Sequence, residues 1–252
     1  MSKNWFRLGA ALLAGGLLTV GVAACGDDGD SDDSSGSMPE VRAGGAESPV
    51  PLDPGKGEDI GLVFQAFPDP MQEGGEEQDA PANTPEQFLS TEPSVDRVDR
   101  PDHGQAVLTF TNDLSKAYFY LEVADVDLAA MNMLHLHCGL PGQLGPIIVD
   151  FSLVDPIEDI AAALEDGGTY MAEITDQLIV DTAQAGGDQQ SMVDAFTLGC
   201  PIVPVLDSNQ IVTVGGLGVV TNATELYVNL HTTAQTYFGD IRGQFYPAEL
   251  EE

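Results

Sequence analysis

Met131-Asn132-Met133-Leu134-His135-Leu136-His137-Cys138-Gly139 is the stretch on which the reading of this chain turns. Side chains alternate across a strand, so Leu134, Leu136 and Cys138 fall on one face and Met131, Met133, His135 and His137 on the other. The apolar set reads as a core face. A second stretch, Leu226-Tyr227-Val228-Asn229-Leu230-His231-Thr232, alternates in the same way. Its inward members are Leu226, Val228 and Leu230, and its outward members are Tyr227, Asn229 and His231. Close pairing of the two strands would gather three of the chain's four histidines on one surface. His103 stands apart and reads as solvent-facing.

Outward from these segments the pattern stays that of short strands. Residues 106–111 and 116–123 read as a hairpin turning at Asn112-Asp113, and residues 146–151 as a strand after the Gly145-Pro146 turn. Residues 210–214, 225–231 and 239–246 read as the closing strands. Residues 156–164 read as a short helix, since Ile157, Ile160, Ala161 and Leu164 recur at helical spacing. Residues 175–196 read as helical pieces broken at Gly186-Gly187. Gly215-Gly216-Leu217-Gly218 reads as a tight turn or bulge. Short strands with Gly- and Pro-rich turns predict an all-β fold: an antiparallel sandwich or barrel of Ig-like or Greek-key type, with one or two short helices in long connections.

Three imidazoles with an open position suit zinc or copper, and thioethers would favour copper(I). The candidate metal ligands are therefore His135, His137 and His231, with Met133 and Met131 as added donors. Cys138 points the other way and is not expected to ligate. The leading reading of these histidines is structural, with the rings hydrogen-bonded to neighbouring loops and to the strand around Asp240 and Arg242, and the metal site is the alternative to it. No nucleophile elbow, phosphate loop or dinucleotide fingerprint occurs, and catalysis is not expected.

Lys3 and Arg7 precede an apolar run over residues 8–22 that ends in Val22-Ala23-Ala24-Cys25. This is the order of an export signal, and the run is too short and Gly-rich for a spanning helix. The ending resembles the lipobox of bacterial lipoproteins. The resemblance implies cleavage after residue 24 and acylation of Cys25, which would hold the protein on a bacterial membrane, facing the periplasm or the exterior. The alternative is an ordinary cleaved signal followed by a chance cysteine. Export leaves Cys138 and Cys200 as an even pair in an oxidising compartment, where a disulfide would contribute ~4 kcal/mol. Two buried thiols are the alternative.

The chain carries 41 acidic against 8 basic residues. Removal of residues 1–24 would leave 35 net negative charges. Such a surface repels nucleic acid and anionic lipid, which are excluded as ligands. It leaves an extracellular protein or a divalent cation, calcium included, as partners. The expected organisation is a signal over 1–24, an acidic and mostly disordered tether over 25–100, a folded domain over 101–248 and an acidic tail over 249–252. An apolar island, Ile60-Gly61-Leu62-Val63-Phe64 with Phe67, interrupts the tether. It reads either as a strand added to the domain or as a partner-binding element.

The two histidine segments resemble the CHRD domain, first described in chordin and widespread in bacterial secreted proteins. That family has a His-Ile-His-x-Gly segment followed by Gly-Pro. It closes with Tyr-Val-Asn-Val-His-Thr and Gly-Glu-Ile-Arg-Gly-Gln. The matching residues are His135, His137, Gly139, Gly145, Pro146, Tyr227, Asn229, His231, Thr232, Gly239, Ile241, Arg242, Gly243 and Gln244. Asp240 replaces the family's Glu. The family's Asn-Pro is absent, with Gln235-Thr236-Tyr237-Phe238 in its place. The resemblance implies an extracellular β-sandwich-like module and no established enzymatic activity. The histidine placement is also similar to copper/zinc superoxide dismutase, though that enzyme's other ligand histidines have no counterpart here.

Overall fold

The computed structural model describes residues 56–185 and 211–248. Period-two alternation produces nine strands there: β1 (Ile60–Ala66), β2 (His103–Thr111), β3 (Ala117–Ala124), β4 (Met131–Cys138), β5 (Ile147–Asp150), β6 (Tyr170–Ile174), β7 (Leu226–Thr232), β8 (Ile241–Gln244) and β9 (Tyr246–Ala248). They form two sheets, one ordered β6-β3-β2-β1-β9 and the other β5-β4-β7-β8, with every pairing antiparallel. The predicted all-β sandwich is the observed fold.

The inward rows meet in one core. The first sheet contributes Phe64, Leu108, Phe110, Phe119 and Leu121; the second contributes Leu134, Leu136, Cys138, Leu226, Val228 and Leu230. Each large apolar side chain removed from water stabilises the fold by roughly 1.5–3 kcal/mol. Ring contacts set the fit, with Phe119 stacked on Phe151 at 4.5 Å and Phe64 edge-on to Phe110 at 5.8 Å. Helix α1 (Ile157–Leu164) follows Pro156 and turns Ile160 and Leu164 inward, as its spacing predicts. A second helix, α2, runs over 176–185. No helix among the described residues is long and apolar enough to cross a membrane.

Three local expectations fail. No strand forms over residues 211–214, and the turn predicted over Gly215–Gly218 lies inside helix α3 (Val214–Asn222). The Thr213 side chain caps it, accepting a hydrogen bond from the Gly216 N–H at 3.0 Å. Three glycines disfavour this helix by ~1 kcal/mol each. Burial of Val214, Leu217 and Val220 outweighs them. The predicted strand over 239–246 divides instead at Phe245, whose fully buried ring marks where the chain passes from one sheet to the other.

The expected boundary between tether and domain also moves. Ile60–Ala66 is an interior strand, flanked by β2 and β9. Beyond it Asp69 bridges to Arg242 of β8, so the chain steps across from the first sheet to the second. Residues 70–100 then lie over the second sheet. Thr91 and Glu92 donate to the Thr233 carbonyl, and Gln235 donates to that of Val95. Composition marked these residues as tether because acids are normally solvated. Here Glu73 and Glu77 are buried, and Glu77 accepts hydrogen bonds from backbone N–H groups. Residues 1–24, Cys25, the acidic run after it, Gly186-Gly187, Cys200 and residues 249–252 lie outside the described residues.

Candidate metal centre

β4 and β7 are neighbours, with Met133 opposite His231, His135 opposite Asn229 and His137 opposite Tyr227. This register places His135, His137 and His231 on one face, as alternation predicts. Their ring centroids are 5.4, 5.4 and 6.2 Å apart. One nitrogen from each ring lies within 4.8 Å of the other two. Met131 does not join them. A register irregularity between Met131 and Met133 turns Met131 into the hydrophobic core, which corrects its expected place on the histidine face. Cys138 is fully buried in the core, turned inward as expected. His103 is exposed and outside the cluster, its Nδ1 2.9 Å from the Pro101 carbonyl.

The shared face is not an open surface. His135, His137 and His231 are only 4, 8 and 4 % exposed. Two of the rings are held by loop carbonyls. His137 Nδ1 lies 2.9 Å from the Gly145 oxygen, and His231 Nδ1 lies 3.1 Å from the Thr236 oxygen. A carbonyl only accepts, so Nδ1 of each ring carries the hydrogen and Nε2 is left with a bare lone pair. Nε2 of His137, Nε2 of His231 and Nδ1 of His135 have no hydrogen-bond partner. The remaining nitrogen of His135, Nε2, faces Asp150 Oδ1 at 3.7 Å, which is beyond hydrogen-bond length.

Burial keeps all three rings neutral. Desolvation, then the neighbouring histidines, pushes His135 well below the ordinary imidazole range. Desolvation followed by His231 lowers His137 to about 3, and desolvation lowers His231 to about 4. Neutral imidazoles with free lone pairs, here with two of the three fixed through the other nitrogen, are the form in which histidine binds a metal.

A polar frame holds the rings from the side of β8. The Tyr227 ring stacks on His137, 5.0 Å between centroids and 5° from parallel. The Arg242 guanidinium sits 3.5 Å over the Tyr227 ring and donates to the carbonyls of Leu140 and Gln143, each at 2.8 Å. Gln244 donates to Gly139 and Thr224, and Asn229 to Phe238. Gly145 is held at both ends, its N–H donating to the Tyr227 hydroxyl at 3.0 Å and its carbonyl meeting His137. A side chain at Gly145 would overlap the Cys138 carbonyl. Gly239, at φ +110°, lies against the Asn229 amide with no room for a Cβ. Pro146 receives the Cys138 N–H, and Thr232 receives the Thr236 hydroxyl. Asp240 pairs with Arg100 at 2.9 Å, both side chains buried. Gly243 packs where a Cβ would meet Pro68.

The family model described as the CHRD domain matches residues 86–245. The chain belongs to the CHRD domain family. No curated protein and no solved structure matches the chain. CHRD membership points to a binding or structural module. In this CHRD domain the motif residues are the frame just described: most of them hold the two strands and their loops around the three imidazoles.

Sequence reasoning missed four contributors to this CHRD site. Glu77 accepts from Ser90 Oγ at 2.6 Å and from the N–H groups of Tyr237 and Phe238 at 2.8 and 3.1 Å, clamping the loop whose Thr236 carbonyl orients His231. Glu73 is buried near Arg242 and Arg100, and desolvation raises its carboxyl well above the ordinary range. Both of these glutamates lie in residues read as tether. Arg100 closes the ion pair with Asp240. Asp150 pairs with His135 across β4 and β5, and the acid ending Ile147-Ile148-Val149-Asp150 was its only signal.

Proposed function

We propose that this protein is an exported CHRD module that binds one transition-metal ion, copper or zinc, through His135, His137 and His231. An acylated Cys25 and the acidic residues after it would keep the module at a bacterial membrane. The metal reading is carried by one observation: three buried imidazoles on one face, each with a nitrogen that lacks a partner and each with a nitrogen within 4.8 Å of one on each of the other two rings. Leaving a buried polar atom unsatisfied disfavours a fold by roughly 1–3 kcal/mol, and one ion satisfies all three at once. The signal, the lipobox-like Ala23-Ala24-Cys25 and the acidity of the chain support the envelope location.

Metal analysis of the purified full chain is the test. About one equivalent of copper or zinc is expected, absent from the His135→Ala/His137→Ala variant. Equal metal content in the two proteins would overturn the reading. A metal-free binding or architectural role is the second reading, favoured by the depth of the rings, which leaves little room for a substrate. The proposed Cys138–Cys200 disulfide predicts no reactive thiol from either residue under denaturing conditions. The anchor predicts that Cys25→Ser releases the protein from the detergent phase.

A further inference from the structure

We infer that the three-histidine centre selects monovalent copper, held by three imidazole nitrogens in a plane, over zinc and divalent copper. This rests on the metal-binding reading above and specifies its ion.

Ring geometry is the first argument. The circle through the three ring centroids has a radius of about 3.3 Å. A metal bound to an imidazole nitrogen at ~2.0–2.1 Å stands about 3.2 Å from that ring's centroid. The ion therefore fits in the plane of the three ring centroids. A tetrahedral ion would sit above that plane and need the rings on a tighter circle, about 3.0 Å in radius at the same bond length. Zinc takes four ligands, the fourth commonly water, whereas the three-nitrogen plane completes the shell of a three-coordinate ion.

Charge is the second argument. Among the described residues the cluster contains no carboxylate or thiolate. An imidazole coordinates as an uncharged donor, and the Arg242 guanidinium sits 3.5 Å over the Tyr227 ring that stacks on His137. Asp150, 3.7 Å from His135, is the acid beside the cluster, and its side chain is one-quarter exposed. The penalty for burying an ion rises with the square of its charge, so a neutral, buried donor set penalises a dication much more than a monocation. The acidity of the chain does little to change this, because charges in water are screened over about 10 Å. Imidazole donors suit copper, and Met133, across the ladder from His231, adds a soft side chain at the rim.

The test titrates the full-length protein anaerobically with Cu(I), with Ag(I) as a redox-inert monocation, and with Zn(II), each against a chromophoric chelator. X-ray absorption is recorded on the copper-loaded form. Cu(I) and Ag(I) are expected to bind one per chain, with Cu(I) preferred over Zn(II) by at least ~100-fold, and the absorption spectrum should report three nitrogen neighbours. Zinc binding as tightly as Cu(I), or a fourth oxygen or nitrogen neighbour, would overturn this inference and leave the metal reading standing. No binding of any of the three ions would overturn both. The spectrum is taken on the unaltered chain, so the outcome does not depend on whether histidine variants fold.

Discussion

Replacing Glu77 tests the assembly of the site through a residue that touches no imidazole. Its carboxylate accepts three hydrogen bonds, from Ser90 Oγ, Tyr237 N and Phe238 N. Hydrogen bonds to a charged acceptor contribute ~1.5–3 kcal/mol each, and three on one carboxylate are not additive. Glu77→Ala, which strands the Phe238 N–H away from water, is therefore expected to destabilise the domain by about 4 kcal/mol. That is a large share of the ~5–15 kcal/mol typical of a folded domain. Glu77→Gln keeps one carbonyl oxygen and should lose ~1–2 kcal/mol. Both variants loosen the loop that carries the Thr236 carbonyl to His231, so metal affinity should fall ~10–100-fold, the usual effect of removing a group that orients a ligand. Urea denaturation of the metal-free protein measures the first effect, and chelator competition the second. A Glu77→Ala protein within 0.5 kcal/mol of wild type, a difference usual for surface substitutions, would refute the claim that residues 70–100 are packed on the second sheet.

The three histidines, neutral in the fold and basic when unfolded, give a pH dependence of definite sign. Unfolding takes up protons between the ordinary imidazole value and the depressed folded ones, about 3 for His137 and about 4 for His231. Their contribution is thus complete above pH ~6.5 and is lost as pH falls toward 4, at up to ~1.4 kcal/mol per unit for each ring. Buried Glu73, Asp102 and Asp240, whose carboxyls are raised, oppose part of this slope. Metal-free His231→Gln should show a shallower slope than wild type in denaturation across pH 4–7, and an equal slope would contradict the assignment. Arg100→Ala should cost ~3–5 kcal/mol by leaving Asp240 buried without its partner. Adding Asp240→Asn should recover part of that in a double-mutant cycle. Gly145→Ala, which must displace the Cys138 carbonyl, should lower stability by ~3 kcal/mol or more in thermal unfolding.

The strands were legible wherever one face was greasy and the other polar. Alternation through Leu134-His135-Leu136-His137 and through Val228-Asn229-Leu230-His231 gave both the core rows and the histidine row. It could not show Met131 turning inward, because an irregular register reverses a face without changing composition. Nor could it show α3, where buried Val and Leu override three glycines, or β6, whose Tyr170-Met171-Ala172-Glu173-Ile174 is too short to stand out. The depth of the site was hidden for another reason. The groups that brace its frame, Glu73, Glu77 and Arg100, are charged and sit among prolines and acids, and charge in a sequence looks like solvent exposure until the partner is known.

The placement of β1 between β2 and β9 has a consequence in time. Val63, near the start of the domain, pairs with Ala248, near the end of the described chain. The first sheet therefore cannot be completed until almost the whole domain is available to fold. Closing so long a loop is entropically unfavourable before any contact rewards it, and it slows folding. A chain synthesised from its N-terminus carries β1 with one side unpaired for most of that interval. Removal of residues 246–248 would make the condition permanent, leaving Val63, Phe64 and Gln65 as an open sheet edge, the kind of edge through which strands of separate molecules associate.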